Sequence, residues 1–128
     1  MKVLCDTHAL AWWLLDDRRL SAKVRTLIID LGTEVWVSAV SAFEMATKYK
    51  LGKWPGIGDL VVNFEAVMAR ENFAILPLSA AHAKRGGLLD GAHRDPFDRL
   101  LAAQSIIERM PLVTADAAFR GFGVETVW

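Results

Sequence analysis

Five short apolar segments, separated by stretches with helical periodicity, constrain the fold of this chain more than any other feature. They are residues 2–5, 34–37, 73–76, 112–114 and 124–127. Short, nearly continuous apolar runs rich in β-branched residues are typical of strands buried on both faces in a parallel sheet. No Asn-Gly or Asp-Gly turn joins any two of them as a hairpin. We therefore predict an α/β fold with three layers, in which helices cover both faces of a central parallel sheet of about five strands.

Helix start signals lie between these segments. The predicted helices begin at Thr7, Ser21, Ser38 or Ser41, Asp59, Ser79 and Asp95, and a last turn covers residues 116–120. The Asp95-Pro96 pair is the strongest signal, because Asp is a good cap and Pro fits the first helical position. We expect one continuous helix from Asp59, and a helix from Ser79 that stops at the Gly86-Gly87 pair.

Length and charge narrow the function classes. A chain of 128 residues with 53% hydrophobic residues is expected to form a single domain, over residues 1–128, with a substantial core. Fifteen Lys and Arg balance fifteen Asp and Glu, which excludes a globally basic nucleic-acid binder but permits a local basic patch.

Cysteine usage and hydropathy suggest the compartment. One cysteine, Cys5, excludes an intramolecular disulfide and a cysteine-based zinc site, and we expect it to lie in the core. The longest apolar run, residues 9–15, is far short of the roughly 20 residues that cross a bilayer. We expect a cytoplasmic protein that does not bind a membrane.

Acidic side chains follow the predicted strands. Asp6 follows the first, Glu44 lies on the helix after the second, and Asp116 follows the fourth. Asp98 opens the helix that leads into the fourth strand. Because parallel strands end at one edge of a sheet, we expect these four carboxylates to converge there.

Each acid also has a purely structural interpretation. Three acids precede helices, and capping alone would be enough to explain their presence: Asp6, Asp95 and Asp116. Glu44 can belong to a capping box that begins at Ser41, or pair with Lys48 one turn later. Asp98 near a helix start is favoured by the helix dipole.

A cluster of all four acids changes this balance. Two carboxylates 4 Å apart repel by roughly 4 kcal/mol at an effective dielectric constant of about 20. Three such pairs would cost about 12 kcal/mol, which is comparable with the whole stability of a domain. The cluster therefore requires a cation or protons, and ligands that are all oxygen select Mg²⁺ or Mn²⁺.

These residues lie in motifs that resemble those of PIN-domain ribonucleases, and in particular the VapC-like toxins of toxin–antitoxin pairs. The matching stretches are LCDTHAL at 4–10, SAVSAFE at 38–44, HRDPFDRLLAAQ at 93–104 and LVTAD at 112–116. They occur in the order and spacing of the family, and they extend over nearly the whole chain.

The resemblance implies an endoribonuclease that depends on Mg²⁺ or Mn²⁺ and hydrolyses phosphodiester bonds of structured RNA such as tRNA or rRNA. It also implies a toxin that inhibits translation, a homodimer and a small antitoxin as partner. The implied catalytic residues and metal ligands are Asp6, Glu44, Asp98 and Asp116, and the implied residues that orient them are Thr114 and Ser41. Asp95 belongs to the motif, but its capping role explains it fully.

A neutral protein that holds RNA beside an acidic site needs local basic groups. Candidate RNA contacts are Lys48, Lys50, Lys53 and Arg99, with Arg94 and Trp54 nearby. Phosphate contacts and base stacking would be their roles; the alternative is a solvated basic helix end with Trp54 packed in a loop. We expect His8 and His93 to form local hydrogen bonds. Apolar residues around Trp12 and in 64–73 would suit a dimer interface and an antitoxin groove.

Two other readings are open to test. A phosphoryl-transfer protein on a similar sheet is disfavoured, because the last lysine, Lys84, lies well before the last strand. A catalytically inactive module with the same fold would bind RNA or a partner without cleaving RNA. The presence of all four acids argues against that module.

Overall fold

The computed structural model describes residues 1–128 and confirms the predicted α/β architecture. The strands are β1 (Lys2–Cys5), β2 (Glu34–Ser38), β3 (Ala74–Leu76), β4 (Leu112–Val113) and β5 (Thr126–Val127). All neighbouring strands pair in parallel, in the order β3-β2-β1-β4-β5. The sheet therefore has β1 at its centre.

Seven α-helices flank the sheet: α1 (Thr7–Leu14), α2 (Ala22–Ile29), α3 (Ala39–Lys50), α4 (Gly58–Val62), α5 (Phe64–Arg70), α6 (Ala80–Leu88) and α7 (Pro96–Glu108). Two 3₁₀-helices span Pro55–Ile57 and Ala117–Phe122. None of the helices combines the length and the hydropathy that a membrane crossing requires.

Strand β1 divides the core into two layers because successive side chains point to opposite faces. Val3 and Cys5 belong to a cluster of 16 buried residues that packs with α1, α2, α3 and α5. Leu4 belongs to a second cluster, of nine residues, that includes α7 and the last 3₁₀-helix. Cys5 is a buried core residue, as predicted, and burial raises the pKa of its thiol.

The helix predicted from Asp59 is two helices, which corrects the sequence interpretation. Helix α4 has no buried residue, whereas α5 buries Phe64, Val67 and Met68. The chain changes direction at Asn63, whose side-chain amide donates to the carbonyl of Asp59 at 3.1 Å. The apolar residues predicted at a surface interface in 64–73 are thus largely core residues.

Helix α6 does not stop at Gly86-Gly87 as predicted but continues to Leu88. A Cβ atom at Gly86 would lie 3.2 Å from the carbonyl oxygen of Arg99. Gly86 therefore lets α6 approach the backbone of α7, and its role is close packing rather than helix termination.

Candidate active site

The carboxyl ends of β1 and β4, the start of α1, the middle of α3 and the first turn of α7 enclose a cavity of about 100 Å³. All four acids singled out by the sequence line it: Asp6, Glu44, Asp98 and Asp116. The predicted convergence of these side chains is therefore present. Asp95, Lys48 and His8 line the same cavity.

Asp6 lies at the buried end of the cavity, directly after β1. Its side chain caps α1 by accepting from the amide of Ala9 at 2.7 Å. Burial raises the pKa of Asp6 to about 6, and the nearby Asp98 and Glu44 also raise it. Hydrogen bonds from Thr114 and Ala9 act in the opposite direction. Asp6 thus combines a capping role with a perturbed carboxyl group.

Glu44 is held by a buried hydrogen-bond chain. The Thr7 hydroxyl donates to Glu44 Oε1 at 2.7 Å and lies 2.9 Å from the Ser41 hydroxyl. Lys48 Nζ is 2.6 Å from the other oxygen, Oε2. Both carboxylate oxygens of Glu44 therefore have a partner, and we call Asp6, Thr7, Ser41 and Glu44 the inner half of the site.

The Ser41 capping box that the sequence allowed is absent. Ser38 caps α3 by accepting from the amide of Val40 at 2.9 Å. Ser41 is the third residue of α3 and reaches Glu44 only through Thr7. The sequence analysis missed Thr7, although its position directly after Asp6 and before a buried helix was a usable signal.

The outer half of the site consists of His93, Asp95, Asp98 and Asp116. Asp95 Oδ1 caps α7 by accepting from the amides of Phe97 and Asp98 at 2.9 and 3.1 Å. Asp116 Oδ1 accepts from the Ala118 amide at 2.9 Å. The capping interpretation is thus correct for both acids, yet neither role prevents the second oxygen from facing the cavity.

Asp98 and His93 form the closest contact of the outer half, with Oδ2 and Nε2 2.6 Å apart. Burial is the main cause of the raised pKa of Asp98, and Asp95 and Glu44 add to it. The hydrogen bond with Asp98 raises the pKa of His93. The predicted local hydrogen bonding of His93 is therefore present.

Thr114 lies between the two halves. Its side chain hydrogen-bonds with Asp6, and its hydroxyl accepts from the amide of Asp116 at 3.0 Å. This buried residue thus links Asp6 to the backbone of a second acid, and its role in orienting them stays a prediction.

The outer half offers the tightest set of candidate metal ligands. His93, Asp98 and Asp116 each present one ligand atom, and these atoms lie within 4.8 Å of one another. Two carboxylates that line the small polar cavity, with the imidazole that contacts Asp98 beside it, fit a divalent cation with bound waters. Asp6 and Glu44 line the same cavity but do not belong to this set, and the sequence analysis missed His93 as a ligand.

The predicted RNA contacts occupy different environments. Lys50 and Lys53 are exposed, whereas Lys48 is paired with Glu44. The guanidinium of Arg99 donates to the carbonyls of Gly86 and His93 at 2.9 Å each, and also to that of Leu89. Arg99 therefore stabilises the 89–95 loop through hydrogen bonds, a structural role that the sequence did not indicate.

A larger cavity, of about 480 Å³, lies outside this site. It is lined by Ala39, Val40, Phe43, Leu78, Pro96, Phe97 and Leu100. None of these side chains can bind a metal or transfer a proton, so its size does not make it the reactive centre.

Comparisons with known proteins support the fold. The PIN domain family model matches residues 3–124, and no curated protein matches the sequence. A chain of FitAB bound to an IR36 DNA fragment is 22% identical, with a TM-score of 0.71 over 99% of this chain and 94% of that one. A chain of VapBC2 from Rickettsia felis, bound to a promoter DNA fragment, is 17% identical, with a TM-score of 0.72 over 100% of this chain and 98% of that one. A chain of a toxin–antitoxin complex from Klebsiella pneumoniae is 21% identical, with a TM-score of 0.63 over 93% of this chain and 91% of that one.

Proposed function

Because this chain belongs to the PIN domain family, whose members are generally nucleases, we propose that it is a metal-dependent endoribonuclease. The observation that carries the proposal is the convergence of Asp6, Glu44, Asp98 and Asp116 on one cavity. Carboxylates are gathered in this way where charge on a phosphate must be neutralised through a bound cation.

The two halves of the site have different parts in the proposed reaction. Asp98 and Asp116, with His93, would hold Mg²⁺ or Mn²⁺, and Asp6 and Glu44 would complete its surroundings, partly through water. When bound, such a cation would neutralise charge on the scissile phosphate and lower the pKa of an attacking water. Hydrolysis would leave a 5′-phosphate and a 3′-hydroxyl.

Asp6 is the best candidate for the proton acceptor. Its pKa of about 6 makes it mostly ionised at neutral pH while keeping its basicity close to that pH. Glu44 is less available, because one of its oxygens is paired with the Lys48 ammonium and the other accepts from Thr7, whereas the donors to Asp6 are neutral. Thr7 and Thr114 would keep the two acids oriented.

The structural neighbours also suggest a biological context. The similar structures are toxin–antitoxin complexes, and two of them are described as bound to DNA. We propose that this chain is a single PIN domain that acts as the toxin of such a pair in the cytoplasm, cleaves tRNA or rRNA and inhibits translation. A small antitoxin and a second copy of the chain are the proposed partners.

Cleavage of purified tRNA or rRNA with Mg²⁺ or Mn²⁺ tests the activity. We expect the wild-type chain to cleave, and Asp98→Asn and Asp6→Asn to lose at least about 100-fold in rate while remaining folded. Asp59→Asn is the matched control, because Asp59 is exposed and lies outside the cavity. Undiminished cleavage by Asp98→Asn would refute the assignment, and RNA binding without cleavage by the wild type would favour the inactive module.

A further inference from the structure

A second cavity adjoins the acidic one and has the opposite character. Its volume is about 270 Å³. Three aromatic and three cationic side chains line it: His8, Trp12, Trp54, Arg19, Lys48 and Lys53. No carboxylate lines this cavity, which we call the basic aromatic pocket.

The two cavities share a wall. His8 and Lys48 line both of them. A ligand in the basic aromatic pocket therefore lies directly beside the carboxylates, and a chain that occupies both cavities needs no long span between them. This contiguity links the pocket to the reaction rather than to a remote surface.

The aromatic side chains form a stacking surface. The rings of His8 and Trp54 lie 5.1 Å apart with an angle of 24° between their planes. Trp12 lies 5.8 Å from His8 at 55°. His8 is exposed, and both tryptophans are only partly buried, so the surface is open to a planar ligand. Nucleobases stack on such rings with little dependence on sequence.

Of the three cations around this surface, Lys48 is paired with Glu44 and Arg19 with Asp17, so Lys53 supplies the uncompensated positive charge. Lys53 is exposed and has no ion-pair partner among the five salt bridges of the chain. Arg19 lies over the Trp12 ring at 4.9 Å, fixed there by Asp17, whose Oδ2 is 2.9 Å from Nη2. A packing role for the tryptophans does not explain the exposed Lys53 beside them, whereas phosphate binding accounts for it.

We propose that the basic aromatic pocket binds one unpaired nucleotide that neighbours the scissile phosphate. Its base would stack against Trp54 and His8, and its phosphate would contact Lys53 and Arg19. The volume of about 270 Å³ is slightly below the roughly 300–1,000 Å³ typical of ligand pockets, which suits a single nucleotide rather than a longer segment. The inference rests on the proposed ribonuclease function and adds a positioning site to it.

Binding measured without cleavage tests the pocket. The probe is a fluorescein-labelled single-stranded RNA of eight nucleotides, titrated with the full chain in EDTA and followed by anisotropy. We expect Trp54→Ala to weaken binding roughly 5- to 150-fold, as base stacking on aromatic residues predicts. Trp54→Phe should retain most of the affinity. Lys53→Ala should lower the slope of log K against log salt by about 1.

Matched variants separate the pocket from general effects. Trp36→Phe removes a tryptophan outside the pocket, and Lys84→Ala removes an exposed lysine on α6; both should bind the probe like the wild type. When the same RNA is annealed into a duplex, Trp54→Phe and Trp54→Ala should leave the affinity of the chain for it unchanged. Thermal unfolding shows whether Trp54→Ala is folded, and Lys53→Ala remains informative if it is not.

The outcomes distinguish this proposal from the nuclease proposal. RNA binding that Trp54→Ala and Lys53→Ala leave unchanged, or no binding by the wild type, overturns the pocket even if cleavage is observed. Binding that depends on Trp54 and Lys53, without cleavage in Mg²⁺ or Mn²⁺, supports the pocket and refutes the nuclease. If the pocket instead accepts an acidic protein segment, the wild type will not bind the RNA, or it will bind with an affinity that Trp54→Ala and Lys53→Ala leave unchanged.

Discussion

The negative charge of the carboxylates is compensated differently in the inner and outer halves of the acid cluster. In the inner half, Asp6 and Glu44 are buried, at 6% and 5% exposure, and protein donors engage their oxygens. In the outer half, Asp98 is partly exposed and Asp116 is exposed. Their protein partners are few: His93 contacts Asp98, and the Ala118 amide donates to Asp116.

This difference assigns separate requirements to the halves. Burial without enough donors leaves a proton on a carboxyl group at higher pH than usual, which describes Asp6. Exposure with close spacing favours an external cation, which describes Asp98 and Asp116. The inner half should therefore dominate folding stability, whereas the outer half should dominate cation affinity.

The strongest test of this comparison is the pH dependence of stability without metal. The pKa of Asp6 is about 6 in the folded chain against 3.8 ordinarily, so the folded state holds its proton more tightly. The Asp6 contribution is full below pH 4 and is lost as the pH rises to about 6, by about 3 kcal/mol. Urea unfolding in EDTA should show Asp6→Asn gaining stability over the wild type by about that amount across this range.

The control for that measurement is Asp59→Asn, whose curve should run parallel to that of the wild type. Asparagine is also a good N-cap, so Asp6→Asn keeps the bond to Ala9 and isolates the charge. A constant difference between the wild type and Asp6→Asn from pH 4 to 7 would contradict the burial argument.

The next largest effect is expected from the hydrogen-bond chain that holds Glu44. Thr7→Val keeps the side-chain shape but removes the donor 2.7 Å from Glu44 Oε1 and the partner of Ser41. A lost hydrogen bond to a buried charged group costs about 2 kcal/mol. Denaturant unfolding at pH 7 measures it.

Thr26→Val on α2 is the matched control, because Thr26 is exposed. Its effect should stay within about 0.5 kcal/mol. Equal stability of the wild type and Thr7→Val would show that Glu44 does not depend on the inner hydrogen-bond chain.

The fold and the position of the acid cluster could both be predicted from the sequence. The fold follows from strand segments with continuous apolar character and from helix caps such as Ser21 and Asp95, which depend on near neighbours in the chain. The convergence of the four acids follows from the parallel topology alone. These features were predictable because one rule, that parallel strands end at a common edge, places distant residues together.

The unpredicted features depend on contacts between distant segments. Thr7 meets Ser41 and Glu44 across 34 and 37 residues, and Arg99 binds loop carbonyls that no pattern marks. The division of the Asp59 helix likewise reflects which of its residues reach the core. Local propensity carries no information about such contacts, because tertiary packing decides them.

The smallest expected effect concerns Asp95, where capping and chemistry can be separated. Asp95→Ala removes the acceptor for the amides of Phe97 and Asp98 and should cost about 1 kcal/mol of stability. Asp95→Asn keeps the cap, so it should match the wild type in both unfolding and RNA cleavage if Asp95 only positions α7. Normal stability combined with a marked loss of cleavage in Asp95→Asn would instead show that its charge takes part in the reaction, and the outer half would then contain a third functional carboxylate.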